Sequence, residues 1–308
     1  MPELPEVETV RAGLEPLVSG TSIDAVTIYR ASCVRHHGGG AGEFGLAVAD
    51  AGIGEVVRRG KYLWFLLEEG HESPVNALSA HLGMSGQFRS FEGSPPAPHA
   101  HCRARFALTT PQGPLTLDFL DQRTFGYLRV ESLVPTADGA PGGHGSEVPA
   151  VPRSVAHIAR DALDPAVDQA GAVTAMRKGT RPIKTVLLDQ TVVSGIGNIY
   201  ADEALWLARI HPLRRASSLT SSEATRVLDS VRGVMGRALA QGGTSFDALY
   251  VNVNGESGYF SRDLAAYGRA GEPCVRCGDL LTRDRVAGRS THWCPRCQTG
   301  PKPGTDRD

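Results

Sequence analysis

Four cysteines, Cys274, Cys277, Cys294 and Cys297, fall in two close pairs near the end of the chain, with the spacing C-x2-C-x16-C-x2-C. Two such pairs bring four soft thiolates into a tetrahedron, which suits Zn2+ and leaves no open coordination position. Closed coordination gives the metal a structural role, because catalytic zinc keeps a place for water. His292 offers a competing ligand, but the four cysteines already suffice. From Arg269 to Cys297, six arginines (269, 276, 283, 285, 289 and 296) face three acids (Glu272, Asp279, Asp284), a local net of +3. A zinc-pinned hairpin with that excess suits a phosphate backbone, although a solvated basic surface would look the same.

A second centre lies at the other end. Removal of Met1 exposes Pro2 as a secondary amine directly ahead of a helical stretch. An α-amino group has a reference pKa of about 7.7–8.0 against about 10.4 for lysine, so at pH 7 about a tenth to a sixth of it is unprotonated. The positive end of a helix favours the neutral amine further. Such an amine attacks a sugar C1′ and forms an iminium, and the adjacent Glu3 can supply the proton. Taken alone, the pair reads equally as a helix-leading proline and a capping acid.

These residues need elements to hold them. The stripe Val7, Val10, Leu14 and Leu17 predicts a helix from Pro5 to about Val18. Short β-type runs follow at Ala25–Tyr29, Tyr62–Leu67, Ala104–Thr109, Pro114–Leu120 and Tyr127–Val130, separated by Gly, Pro and polar breaks, which predicts a sandwich or barrel. Thr136–Pro152 has no periodicity and much Gly and Pro, and reads as an interdomain linker. Helical patterns return at Ile183–Asp189, Ile199–Leu207 and Ser222–Gln241, the last stopped by Gly242-Gly243. The expected division is therefore 1–135, a linker at 136–152, a helical domain at 153–268, a finger at 269–298 and a disordered tail at 299–308.

Composition narrows the function classes. The 308 residues carry 32 basic and 33 acidic side chains, net −1, so a nucleic-acid binder of this composition must gather its positive charge on one face. With 41% hydrophobic residues, disorder is excluded as the dominant state. No run of 18 apolar residues and no basic, apolar leader is present, which predicts a soluble, cytosolic chain. Cys33 and Cys102 belong to no motif and read as free thiols.

Several strings then occur in a telling order. They are MPELPEVETV at the start, Arg58-Arg59-Gly60-Lys61-Tyr62-Leu63, His81-Leu82-Gly83-Met84-Ser85-Gly86, Asp121-Gln122-Arg123-Thr124-Phe125-Gly126, Gly195-Ile196-Gly197-Asn198 running on to Glu203, and the cysteine finger. Together they resemble the bacterial formamidopyrimidine-DNA glycosylase family over residues 1 to about 298. The resemblance implies an α+β fold: an N-terminal β-sandwich with a leading helix, a helix–two-turns–helix domain and a C-terminal zinc β-hairpin finger. It implies a monomer, working on the bacterial nucleoid, that excises oxidised purines from double-stranded DNA and cleaves the strand by β,δ-elimination. It also implies one structural Zn2+ and no membrane partner.

Residue by residue, Pro2 matches the family's Schiff-base nucleophile and Glu3 the assisting acid. Lys61 matches a lysine beside the lesion phosphate, and Arg289 a finger arginine that grips phosphates. Met84, Arg123 and Phe125 match a trio that fills the gap left by an extruded nucleotide. Without the resemblance, Met84 and Phe125 have the character of core residues. Asn198 is placed to hold a phosphate or to cap a helix. His99, by motif position, and Lys178, by neighbourhood alone, are further backbone contacts.

Two departures stand out. Thr124 occupies a position where many relatives have a second Arg, and Lys178-Gly179-Thr180 does not align cleanly with the usual basic contact. The segment Asn252–Phe260 (NVNGESGYF) lies where the family closes over the flipped base. Two other functions fit the same residues: an endonuclease VIII-like preference for oxidised pyrimidines, and a non-catalytic zinc-finger DNA binder. The LPE start with Met84, Arg123 and Phe125 leans toward purines, and keeping Pro2, Glu3, Lys61 and Arg289 together leans toward an enzyme.

Overall fold

The computed structural model describes residues 2–68, 74–243 and 263–300. Segment 252–260, Met1 and the end of the tail from 301 lie outside the described residues. The chain divides into two compact units, one formed mainly by the residues up to His157 and the other beginning at Ile158.

The first unit opens with α1 (Leu4–Val18), which buries Leu4, Val7, Val10, Leu14 and Val18 along one stripe. Glu3 is its N-cap and forms a capping box with Glu6, whose Oε2 accepts the Glu3 N–H at 2.8 Å. Behind it come β1 (Thr21–Ile28), α2 (Gly40–Val48), β2 (Gly52–Arg59), β3 (Tyr62–Glu68), β4 (Asn76–His81), β5 (Gly86–Glu92), β6 (Cys102–Thr110), β7 (Gly113–Asp121), β8 (Tyr127–Pro135) and β9 (Ala150–Pro152). All pairings are antiparallel, in the order β5-β7-β6-β1-β2-β3-β4-β8-β9.

That single ladder folds over on itself. β3 and β5 are five places apart, which would separate them by about 24 Å in a flat sheet. Yet the rings of Phe65 on β3 and Phe88 on β5 meet at 5.8 Å between centroids. The enclosed layer contains Ile23, Ile53, Phe65, Leu78, Phe88, Phe106, Leu108 and Leu117. The predicted sandwich is thus one sheet whose halves face each other across an apolar core.

The stretch 136–152 is not a free tether. β9 pairs with the end of β8, and His144 and Arg58 exchange both backbone hydrogen bonds at 3.0 and 2.8 Å. Gly142 and Gly143 lie where a Cβ would collide with the carbonyls of Ala150 and Arg58, so their lack of a side chain allows the close return. Glycine content that looks like flexibility in the sequence here serves close backbone packing.

The second unit contains α3 (Gln169–Met176), α4 (Ile183–Leu187), α5 (Asn198–Ala208), α6 (Ser221–Ala240) and a hairpin of β10 (Thr282–Val286) and β11 (Arg289–Trp293). Helix α6 starts with a second capping box, Thr220 with Glu223, and the Arg214 guanidinium clamps the Glu223 carboxylate at 2.6 and 2.8 Å. No helix among the described residues is long and apolar enough to cross a membrane.

Candidate nucleic-acid site

Pro2 and Glu3 are buried at the head of α1, with Glu3 only 2% exposed. One turn on, the buried Glu8 carboxylate gathers Arg58 Nε at 2.7 Å, Arg11 Nε at 2.8 Å and His144 Nε2 at 3.3 Å. Arg58 also donates through Nη1 to the carbonyl of Gly60 at 3.2 Å. Gly60 and Lys61 form the two-residue turn between β2 and β3, with Gly60 at φ +58. One guanidinium therefore ties the helix that carries Pro2 to the turn that carries Lys61. Buried charge is tolerated here because each group has several partners. No local spacing announces this arrangement, since Glu8 and Arg58 are 50 positions apart.

His81 closes β4. Its ring stacks on Tyr127 at 5.2 Å and meets Tyr62 edge-on at 5.6 Å. Burial, then the nearby Lys61, Arg35 and His36 charges, push its pKa down to about 4, so it is neutral at physiological pH. Its Nδ1 accepts the Gly83 N–H at 3.1 Å, which leaves the proton on Nε2 as a donor.

Met84 and Phe125 are not core residues: they are 38% and 55% exposed. Met84 sits in the β4–β5 loop, and Arg123 and Phe125 in the β7–β8 loop. The two loops touch, because a Cβ on Gly83 would strike Phe125 and Gly126, and Arg123 Nη1 lies 3.7 Å from Met84 Sδ. A thioether, a guanidinium and an aromatic ring thus share one exposed rim. His99 is exposed in the loop before β6, where its Nδ1 accepts the His101 N–H at 3.1 Å.

In the second unit, Gly197 is the N-cap of α5 and Asn198 is its first residue. The Asn198 side chain is therefore not a cap. It donates to the Ser290 carbonyl at 2.9 Å, joining the helix start to the hairpin. Gln190 shapes the preceding turn, accepting from Gly195 N–H at 2.9 Å and donating to the Leu188 and Ile196 carbonyls. Lys184, fully buried, pairs with Asp202 at 2.6 Å and donates to Ser290 O and Thr291 Oγ1. Asp202 also accepts the His292 N–H at 2.8 Å. Strand β11 is thereby fixed on α4 and α5 by a buried ion pair and its hydrogen bonds. Lys178 is exposed beyond the end of α3.

The hairpin turns through Ala287 and Gly288, both at positive φ, which matches the twist of two-residue hairpins and leaves Arg289 exposed beside the tip. The four cysteine sulfurs lie within 4.8 Å of one another. A tetrahedron with Zn–S bonds of about 2.3 Å has edges of about 3.8 Å, so the set fits one zinc. Trp206 Nε1–H donates to Cys274 Sγ at 3.4 Å, the kind of outer bond that steadies a metal thiolate. His292 faces Asp202 and Tyr267 and is not among the clustered ligands.

Comparison with known proteins agrees in order along the chain. Residues 1–128 match the formamidopyrimidine-DNA glycosylase N-terminal domain, 158–248 its H2TH domain, and 271–300 a zinc finger found in FPG and IleRS. A formamidopyrimidine-DNA glycosylase of Leifsonia xyli is 48% identical over 97% of this chain and 99% of its own. Among solved structures, a Lactococcus lactis FPG variant with Fapy-dG-containing DNA superposes with a TM-score of 0.80 at 31% identity, covering 97% of this chain and all of that one. MutM in complex with DNA containing carbocyclic 8-oxo-G gives 0.79 at 32%, with the same coverage. With three domains matched in sequence and near half identity across the whole length, this chain belongs to the formamidopyrimidine-DNA glycosylase family.

Proposed function

We propose that this protein is a bacterial base-excision repair enzyme that removes oxidised purines, 8-oxoguanine and formamidopyrimidines, from duplex DNA at the nucleoid and then cuts the strand. A stacked base cannot present C1′ to an amine, so the nucleotide is first extruded and the gap filled by Met84, Arg123 and Phe125. The Pro2 nitrogen, freed by loss of Met1, then attacks C1′ and the bond to the purine breaks, the base leaving with a proton. Glu3 protonates the ring oxygen as the sugar opens, which leaves an iminium between Pro2 and C1′. Loss of a C2′ proton expels the 3′-phosphate, and a second elimination expels the 5′-phosphate. Lys61 serves proton transfer in the first of these, and Arg289 holds the phosphates for the second.

Asn198, His99 and Lys178 add phosphate contacts, and the zinc holds the finger's fold. The division of labour follows the segments 1–135, 153–268 and 269–298, with the protein acting as a monomer.

The observation that most supports this reading is the burial of Pro2 and Glu3 at the start of a helix that Arg58 ties to the Lys61 turn. The test is borohydride trapping on duplex containing 8-oxoguanine. A covalent adduct is expected, with loss in Pro2→Gly and an N-terminal mass lacking Met1. An adduct that persists in Pro2→Gly rejects the nucleophile. Faster excision of thymine glycol than of 8-oxoguanine rejects the purine preference.

A further inference from the structure

Residues 122–126 join β7 to β8 and carry two of the three side chains proposed above to fill the opened stack. Between those two, Thr124 has φ +58. L side chains rarely take this left-handed conformation, and β-branched ones least of all, because the Cβ crowds the backbone carbonyl. A strained residue persists only where its surroundings over-determine it.

Two sets of bonds do so here. On the inner side, Asp121 Oδ2 accepts the Gly126 N–H at 2.7 Å and Oδ1 accepts the Ser85 hydroxyl at 2.6 Å, while Ser85 Oγ accepts the Arg123 N–H at 2.9 Å. On the outer side stands Arg35, about 90 positions earlier in the chain. Its Nη2 donates to the Phe125 carbonyl at 2.8 Å, and its Nη1 donates to the carbonyls of Gly126 and Ser32, each also at 2.8 Å. The guanidinium carbon lies 5.4 Å from the centre of the Tyr127 ring. Among the described residues, every hydrogen bond that the Arg35 side chain makes ends on a backbone carbonyl, two of them directly after the strained residue.

We infer that Arg35 is a positioning residue for the wedge: it locks the Phe125 and Gly126 carbonyls, keeps Thr124 left-handed, and so aims the exposed Phe125 ring. The planar fork of arginine is what the task needs, since one flat group must satisfy three carbonyls held at fixed angles. Arg35 therefore acts on the opening of the base pair and not on the sugar chemistry at Pro2. This inference rests on the function proposed above, and deepens it.

The test compares Arg35→Met, Arg35→Lys and the double variant Arg35→Met/Thr124→Gly, each as full-length zinc-loaded protein. One substrate is duplex with 8-oxoguanine opposite cytosine, where the stack must open. The other is a single-stranded abasic oligonucleotide, where nothing needs extruding. Both single variants should lose about tenfold in kcat/KM on the duplex while trapping on the single strand stays within about twofold. The added glycine, at home in the left-handed region, should recover most of the duplex loss. Amide exchange over 122–126 should rise in Arg35→Met.

Equal losses on both substrates would overturn the inference as a general folding defect. So would full rescue by Arg35→Lys together with a salt slope lowered by about one in Arg35→Met, which would make Arg35 a phosphate contact. Unchanged exchange over 122–126 would also overturn it. Wild-type protein inactive on both substrates would reject the functional reading alone, because the exchange result still decides whether Arg35 anchors the loop.

Discussion

The two ends of this chain solve the same problem by opposite means. The first unit holds its exposed loops on a two-layered apolar core, in which the Phe88 ring meets both Phe65 and Phe119. The finger has almost no such core: Cys274, Leu281 and Cys294 are its buried cluster, covered by Trp206 from α5. A sheet of nine strands buries enough apolar surface to order its own rim, whereas some thirty residues do not, and a metal replaces the missing burial. Exposed cationic and aromatic residues can be held rigidly in either way. The stability of each holder should then respond to different insults.

Zinc removal should have the largest effect. Chelation should release a folding contribution on the order of 10 kcal/mol from the finger and abolish DNA binding, with the melting of the first unit unchanged. Trp293 fluorescence and a DNA shift assay after verified metal loss would read this. DNA binding that survives zinc loss would erase the contrast. The converse insult is Phe88→Ala, between Phe65 at 5.8 Å and Phe119 at 5.3 Å. It should destabilise the first unit by about 3–5 kcal/mol in denaturant unfolding while leaving zinc content intact.

The smallest effect belongs to Glu223, whose hydrogen bonds from Arg214, and then from Thr220, pull its pKa from 4.5 down to about 2. A depressed carboxylate stabilises the fold fully above its unfolded value and loses that contribution as pH falls through the folded one. Glu223→Gln should therefore lower second-unit stability by about 1 kcal/mol at pH 7, since the pair is partly screened by solvent. The gap between variant and wild type should close between about pH 4.5 and about 2. A gap that stays constant down to pH 2 would assign the effect to the cap's neutral hydrogen bonds.

Some elements announced themselves in the chain and others did not. Helix α1 and strands β3, β6 and β7 stand out because their apolar residues recur with the right period. Strands β2 (GIGEVVRR), β4 (NALSAH) and β5 (GQFRSFE) do not, since Gly, Asn, Ser and Arg interrupt the pattern. β2 and β4 become strands because neighbours on both sides pair with them, and β5, at the sheet edge, because β7 pairs with it along its length. Helix α2 hides in the glycine-rich GAGEFGLAV, where burial of Phe44 and Val48 outweighs poor propensity. Among candidate site residues, the cysteines and Pro2-Glu3 are legible from type and spacing. Arg35, Glu8 with Arg58, and Lys184 with Asp202 were not, since each acts through a partner remote in the chain.

The sequence by itself determined what depends on atom type and short spacing: four thiolates for one metal, and a proline and an acid at the head of a helix. Such properties are local and survive any arrangement of the rest. Only the tertiary structure decided that Met84 and Phe125 stand outside the core, that Asn198 reaches across to Ser290, and that one arginine joins α1 to the Lys61 turn. Burial and pairing over long separations are set by how the sheet closes and the helices pack, and no short stretch of sequence encodes that geometry.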